Sequence, residues 1–92
     1  MTEPITVRRK RLRHASKYRG TLESDLFFGT FADRHLDRLD SDQLDRYEAL
    51  LREADPDLFA WITGQAPVPH RHDHDVFAML RRFRVVGQPA TT

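Results

Sequence analysis

The sequence has no cysteine, and that absence removes a disulfide framework, thiolate-ligated zinc and thiol catalysis together. It also suits a reducing compartment. Long apolar runs are missing as well, none approaching the roughly 18 residues that a bilayer crossing needs. The N-terminus lacks the apolar segment of a secretory signal. Nowhere do β-branched residues alternate with polar ones as a strand requires, and no internal repeat is visible. A catalytic set is absent too. Ser16 lies close to His14, yet nothing marks its hydroxyl as activated. A chain of 92 residues cannot hold a nucleotide-binding α/β domain beside a substrate site. The chain reads as a non-enzyme.

What is present is the composition of one small soluble domain, with 39% apolar residues. The expectation is a single domain over 1–92, with a helical core at about 8–84 and flexible termini, including a disordered tail from Gly87 to Thr92. A net charge of +1 conceals an asymmetry. Residues 1–20 carry seven basic side chains against Glu3, a local charge of +6. Residues 21–80 carry thirteen acids against five arginines, a local charge of −8. A basic end on an acidic body suits docking to one oriented partner better than coating a polyanion.

The apolar spacing predicts an all-α, compact bundle of five short helices. The first spans about Val7–Tyr18 and stops at Gly20, a usual helix terminator. The second follows Thr21 as N-cap, with Glu23 and Asp25 in its dipole-matched first turn. Leu22, Leu26, Phe27, Phe28, Phe31, Ala32 and Leu36 give it a wide apolar stripe, so it is expected to be the central core helix. Asp40 and Gln43 have the spacing of a capping box before a third helix carrying Leu44, Tyr47 and Leu51. Asp55-Pro56-Asp57 opens a fourth, with Asp as cap and Pro at the first helical position, and Gly64 ends it. Asp73 or Asp75 is expected to cap the fifth, whose Val76, Phe77, Leu80 and Phe83 face inward. Trp61 is read as core at the bundle edge, in reach of an interface.

Arg19-Gly20-x-x-Glu23 is the most informative segment. It combines a tight turn where glycine permits close backbone approach, an arginine able to grip a carboxylate or carbonyls in two places, and an acid one turn on. Spacing alone is equally met by a helix stop followed by an ordinary first turn. The wider run Arg9-Lys10-Arg11-Leu12, Ser16 to Glu23, Phe31-Ala32 and His35-Leu36 resembles the SdhE-like family of succinate dehydrogenase assembly factors. Asp55-Pro56-Asp57-Leu58-Phe59-x-Trp61 is similar to a later segment of its bacterial members. The likeness covers roughly residues 8–84. Its start lies inside the Arg-rich N-terminal stretch, which argues against reading that stretch as a removable transit peptide.

The resemblance implies a five-helix assembly factor, or chaperone, that binds the flavoprotein subunit of succinate dehydrogenase (complex II), and in some members that of fumarate reductase. It further implies promotion of the flavinylation of that subunit, the covalent attachment of FAD. The FAD belongs to the partner, and no cofactor is expected to be tightly bound here. Carried over by position, Arg19 and Gly20 would insert near the partner's flavin-attachment region, supported by Glu23, with Asp25 and His14 on the same face. Tyr18 stands where many members have a second basic residue.

Two other stretches carry residues with recognisable chemistry. His70-Arg71-His72-Asp73-His74-Asp75 has ligand types for zinc or nickel, but a Pro-flanked polar loop needs no metal to explain it, and no metal site is expected. The basic residues 8–19 offer an alternative function as a helical nucleic-acid-binding arm. Against it, the acidic body would repel a polyanion and aromatic interleaving is confined to Tyr18, so no nucleic-acid partner and no membrane insertion are expected. The compartment expected is the bacterial cytoplasm, or the mitochondrial matrix where a presequence has been cleaved.

Overall fold

A computed structural model describes residues 3–84. Within them the chain forms α1 (Ile5–Lys17), α2 (Leu22–His35), α3 (Ser41–Leu51), α4 (Asp55–Ile62) and α5 (Asp75–Arg82), with 3-10 turns at Leu36–Arg38 and His70–His72. No strand occurs among the described residues. The tail expected to be flexible, Gly87–Thr92, lies outside them.

Local chemistry accounts for most helix starts. Thr21 Oγ1 accepts from the Ser24 amide at 3.2 Å and opens α2. Asp40 and Gln43 form the full capping box of α3, at 2.8 and 3.0 Å. Two starts differ from the sequence expectation. The N-cap of α4 is Ala54 with no side-chain cap, because the Asp55 carboxylate is drawn away to Arg19 and Ser24. The N-cap of α5 is neither Asp73 nor Asp75 but His74, whose Nδ1 accepts from the Phe77 amide at 3.1 Å. The unprotonated nitrogen of a neutral imidazole can accept there, as a carboxylate oxygen can.

Helix ends are closed from a distance. The last turns of α3 and α4 contain no basic residue, so their negative dipole ends are met by arginines from elsewhere in the chain. Arg19 donates to Leu51 O and Glu53 O, both at 2.9 Å, at the end of α3. Arg81 donates to Trp61 O at 2.8 Å at the end of α4. In the same way Arg9 donates to Leu36 O and Leu39 O after α2.

The core gathers around α2. Phe27, Phe28, Phe31, Ala32 and Leu36 are buried against Leu12, Leu44, Tyr47, Leu50, Leu58, Val76, Phe77, Leu80 and Phe83. Trp61 is buried with them. Phe31 stacks on Tyr47 at 5.6 Å and meets Phe83 edge-on at 5.6 Å. One buried polar pair crosses from α1 to α3. Ser16 Oγ donates to Leu12 O at 2.7 Å, and the Tyr47 hydroxyl donates to Ser16 Oγ at 2.6 Å. Burial pushes the Tyr47 hydroxyl pKa up.

Leu22 and Leu26 depart from the predicted core stripe. They are 77% and 60% exposed. The cause lies in how α1 and α2 pair. Arg9 meets the carbonyls at 36 and 39, Arg13 meets Asp33 and Asp37, and Lys17 meets Asp33 and packs on Gly29. The two helices run antiparallel, and α1 ends level with Gly29. The first two turns of α2 project past that end, so no helix covers them on this side.

Candidate partner-binding site at the first interhelix turn

The turn between α1 and α2 rests on Gly20, whose φ of +119° lies in the region that side chains with a Cβ avoid. A Cβ placed there would meet nothing within 4 Å, so the open face of the turn is unobstructed. Asp25 holds the turn from below: its Oδ1 accepts from the Arg19 amide at 2.6 Å and the Gly20 amide at 3.2 Å. Asp25 therefore acts on the backbone of the motif, from a half-buried position.

The motif residues separate by direction. Arg19 turns inward and its side chain is only 10% exposed. Its Nε donates to Asp55 Oδ1 at 2.6 Å, its two terminal nitrogens hold the end of α3, and its guanidinium lies 5.0 Å from the Phe28 ring centre. Glu23 turns outward. It is exposed and makes no hydrogen bond or ion pair among the described residues. It borders a cleft of about 260 Å³ floored by Phe27, Pro56, Phe59 and Ala60, with Arg84 also at its edge. His14 is exposed with its ring 4.5 Å from that of Tyr18, which is itself 71% exposed. Gly20, Glu23 and His14 thus lie on the surface, while Arg19 and Asp25 hold the turn from within.

Asp55 and Ser24 escaped the sequence reading as members of this site. Asp55 Oδ2 accepts from Ser24 Oγ at 2.7 Å while Oδ1 takes Arg19. Asp55 stood in the sequence as a helix cap, and its separation of 36 residues from Arg19 carries no local signal. The one available hint was that both segments of the family likeness contain a member of this pair.

The basic helix spends its charge inside the molecule. Arg8 pairs with Asp45 and Glu48, Arg11 with Glu3 and Glu48, Arg13 with Asp33 and Asp37, and Lys17 with Asp33. Of the seven basic residues in 8–19, only Lys10 makes no side-chain hydrogen bond or ion pair among the described residues. The Arg11 hydrogen bond, helped by Arg8, holds the Glu48 carboxyl below the usual range. A phosphate-binding arm would have to break these pairs to free its charge.

His72 and His74 of the histidine loop are likewise engaged within the fold. His72 is buried, its Nε2 lies 2.6 Å from Glu53 Oε2, and its ring packs 5.6 Å from Trp61. Arg71 donates to the same oxygen at 2.8 Å. The His72 hydrogen bond, then that of Arg71, lowers the Glu53 pKa. His74 caps α5. Among the described residues no three His, Asp or Glu side chains converge to hold a metal ion, and no helix is long and apolar enough to cross a membrane.

Comparison with known proteins places the chain in a family. Residues 10–84 match the family model Sdh5, described as "Flavinator of succinate dehydrogenase". The chain is 37% identical over 81 residues to "Succinate dehydrogenase assembly factor 2, mitochondrial" of Aedes aegypti, covering 86% of this chain and 50% of that protein. Its likeness to the protein of that name in Dictyostelium discoideum is 41% over 73 residues, covering 79% and 52%. For Candida glabrata it is 42% over 87 residues, covering 90% and 57%. The chain spans about half the length of these curated relatives. With a model matched over most of its length, the chain belongs to the family of succinate dehydrogenase flavinators.

Proposed function

We propose that this chain is an assembly factor that binds the flavoprotein subunit of succinate dehydrogenase and promotes covalent attachment of FAD to it. It is not an enzyme in this reading and holds no cofactor of its own. The bond-forming chemistry belongs to the flavoprotein and its FAD, and the assembly factor contributes binding energy to the competent conformation.

The observation that carries the reading is the unspent surface around Gly20. Among the described residues, folding leaves Glu23 unpaired, Gly20 open, and Tyr18, Leu22 and Leu26 uncovered, all within nine residues of one motif. Leu22 and Leu26 border a shallow cleft of about 280 Å³ that also includes Lys17, Gly29 and Thr30. Apolar side chains beside a free carboxylate suit a specific protein contact, with an apolar centre and a charge that selects the partner. The fumarate reductase flavoprotein subunit is the second client to which the reading extends. We place the chain in the bacterial cytoplasm, with the mitochondrial setting named for its relatives as the alternative.

The test is covalent flavin fluorescence of the flavoprotein subunit after denaturing electrophoresis, with this chain present, absent, or carrying Glu23→Ala or Leu22→Ser. Both substitutions lie where folding makes no demand. Covalent flavin that depends on the chain and falls with either variant supports the reading. Covalent flavin that is the same with and without the chain overturns it.

A further inference from the structure

The two segments that carry the family likeness meet at a single carboxylate. Asp55, the first residue of α4, holds Arg19 with Oδ1 and Ser24 with Oδ2. These partners bracket the Gly20 turn, one immediately before it and one in the first turn of α2. Arg19 carries the connection onward to Leu51 O and Glu53 O at the end of α3. The exposed turn is therefore braced against the α3–α4 junction by bonds that are themselves largely buried: the side chains of Arg19 and Asp55 are 10% and 19% exposed.

Asp55 also leaves a local role unfilled. An acid at the start of a helix commonly caps its own free amides, yet α4 begins with no side-chain cap. Its carboxylate faces the turn instead. A charge-assisted pair with two arms, one to each side of a glycine, restricts a turn that would otherwise sample many backbone states.

We propose that Asp55 is a positioning residue for the docking turn, fixing how Gly20 and Glu23 are presented to the flavoprotein, with Arg19 and Ser24 as its two arms. The proposal rests on the assembly-factor reading above. Asp55 itself does not touch the partner. Its role is to keep the free protein in the binding-competent form, so that partner binding does not bear the cost of ordering the turn.

The experiment compares Asp55→Asn, Ser24→Ala, Glu23→Gln and Val76→Ala in the full chain. Val76 is buried in α5, a different element from the turn, and its variant supplies a general loss of stability. Three quantities are read: hydrogen exchange of residues 18–24 against α5, affinity for the flavoprotein subunit, and covalent flavin yield. Asp55→Asn is expected to raise exchange in 18–24 by about 10-fold, leave α5 protected, and weaken partner affinity by about 10-fold. Ser24→Ala moves both in the same direction by about 3-fold. Val76→Ala destabilises the fold yet leaves affinity unchanged. Affinity of Asp55→Asn within two-fold of the parent, while Glu23→Gln lowers it, overturns the positioning role and leaves the assembly-factor reading standing. An equal loss of affinity in Val76→Ala overturns it too, since the effect is then stability alone. If neither Glu23→Gln nor Asp55→Asn alters affinity or flavin yield, the proposed site falls together with this inference. Should Asp55→Asn fail to fold, Ser24→Ala against Val76→Ala decides the same question.

Discussion

The basic face of α1 and the first two turns of α2 exchange the roles their compositions announce. In the sequence α1 is a cationic arm ready for a partner, and Leu22 and Leu26 belong to the central core. In the structure the arm is absorbed by Asp33, Asp37, Asp45 and Glu48 of the same chain, while the two leucines face solvent. The difference teaches that a residue type does not mark a functional surface. What marks it is chemistry that folding leaves unsatisfied. Arg19 and Glu23 show the same split within one motif, four positions apart: among the described residues, all three guanidinium nitrogens of Arg19 are bonded internally and no acceptor of Glu23 is used.

Substitutions can break this comparison, and the largest effect is expected at Arg19. Arg19→Ala strands the largely buried Asp55 and opens the end of α3, costing about 2–4 kcal/mol. Chemical denaturation would show it, and a loss below about 0.5 kcal/mol would mean that Arg19 is a surface residue after all. Gly20→Ala comes next. Its Cβ meets open space but its φ of +119° is strained, for a cost of about 1–2 kcal/mol. Tyr47→Phe removes the hydroxyl that bridges α3 to Ser16, and thermal melts should report a loss of about 1 kcal/mol.

A smaller effect follows pH. Burial lowers the pKa values of His35 and His74 below the ordinary 6.5, so the folded state favours their neutral forms. Their contribution is complete above pH 6.5 and is lost as pH falls through the folded-state values. Hydrogen bonds from Arg11 to Glu48 and from Gln43 to Asp75 hold those carboxyls below their ordinary 4.5 and 3.8. That second contribution is present above those values and is lost as pH falls further. Melting temperature from pH 8 to 3 should thus be level, then decline below about 6.5, then fall again below about 4.5. A rise on acidification from 7 to 6 would contradict the burial of the two imidazoles. The smallest stability effect belongs to the surface proposed for docking. Glu23→Gln and Leu22→Ser should each change stability by no more than about 0.5 kcal/mol while lowering covalent flavin yield. A larger destabilisation would show that these residues serve the fold.

The sequence by itself determined the all-helical class, all five helix starts to within about two residues, the capping box at Asp40 and Gln43, and the Phe-rich core of α2. These follow from nearest-neighbour chemistry: periodicity of apolar residues and side chains that bond their own backbone within one turn. It also identified Gly20 as a turn residue, because a helix stop before a capped helix start leaves few alternatives. The tertiary structure alone decided which of thirteen acids in the body meets which base. Charge pairing across 24 to 40 residues depends on where helices cross, which no local pattern encodes. It alone revealed that Asp55 serves the turn ahead of its own helix. And it alone exposed Leu22 and Leu26, since the amphipathic stripe of α2 reports only what can be buried, whereas the length of α1 decides how far the burial reaches.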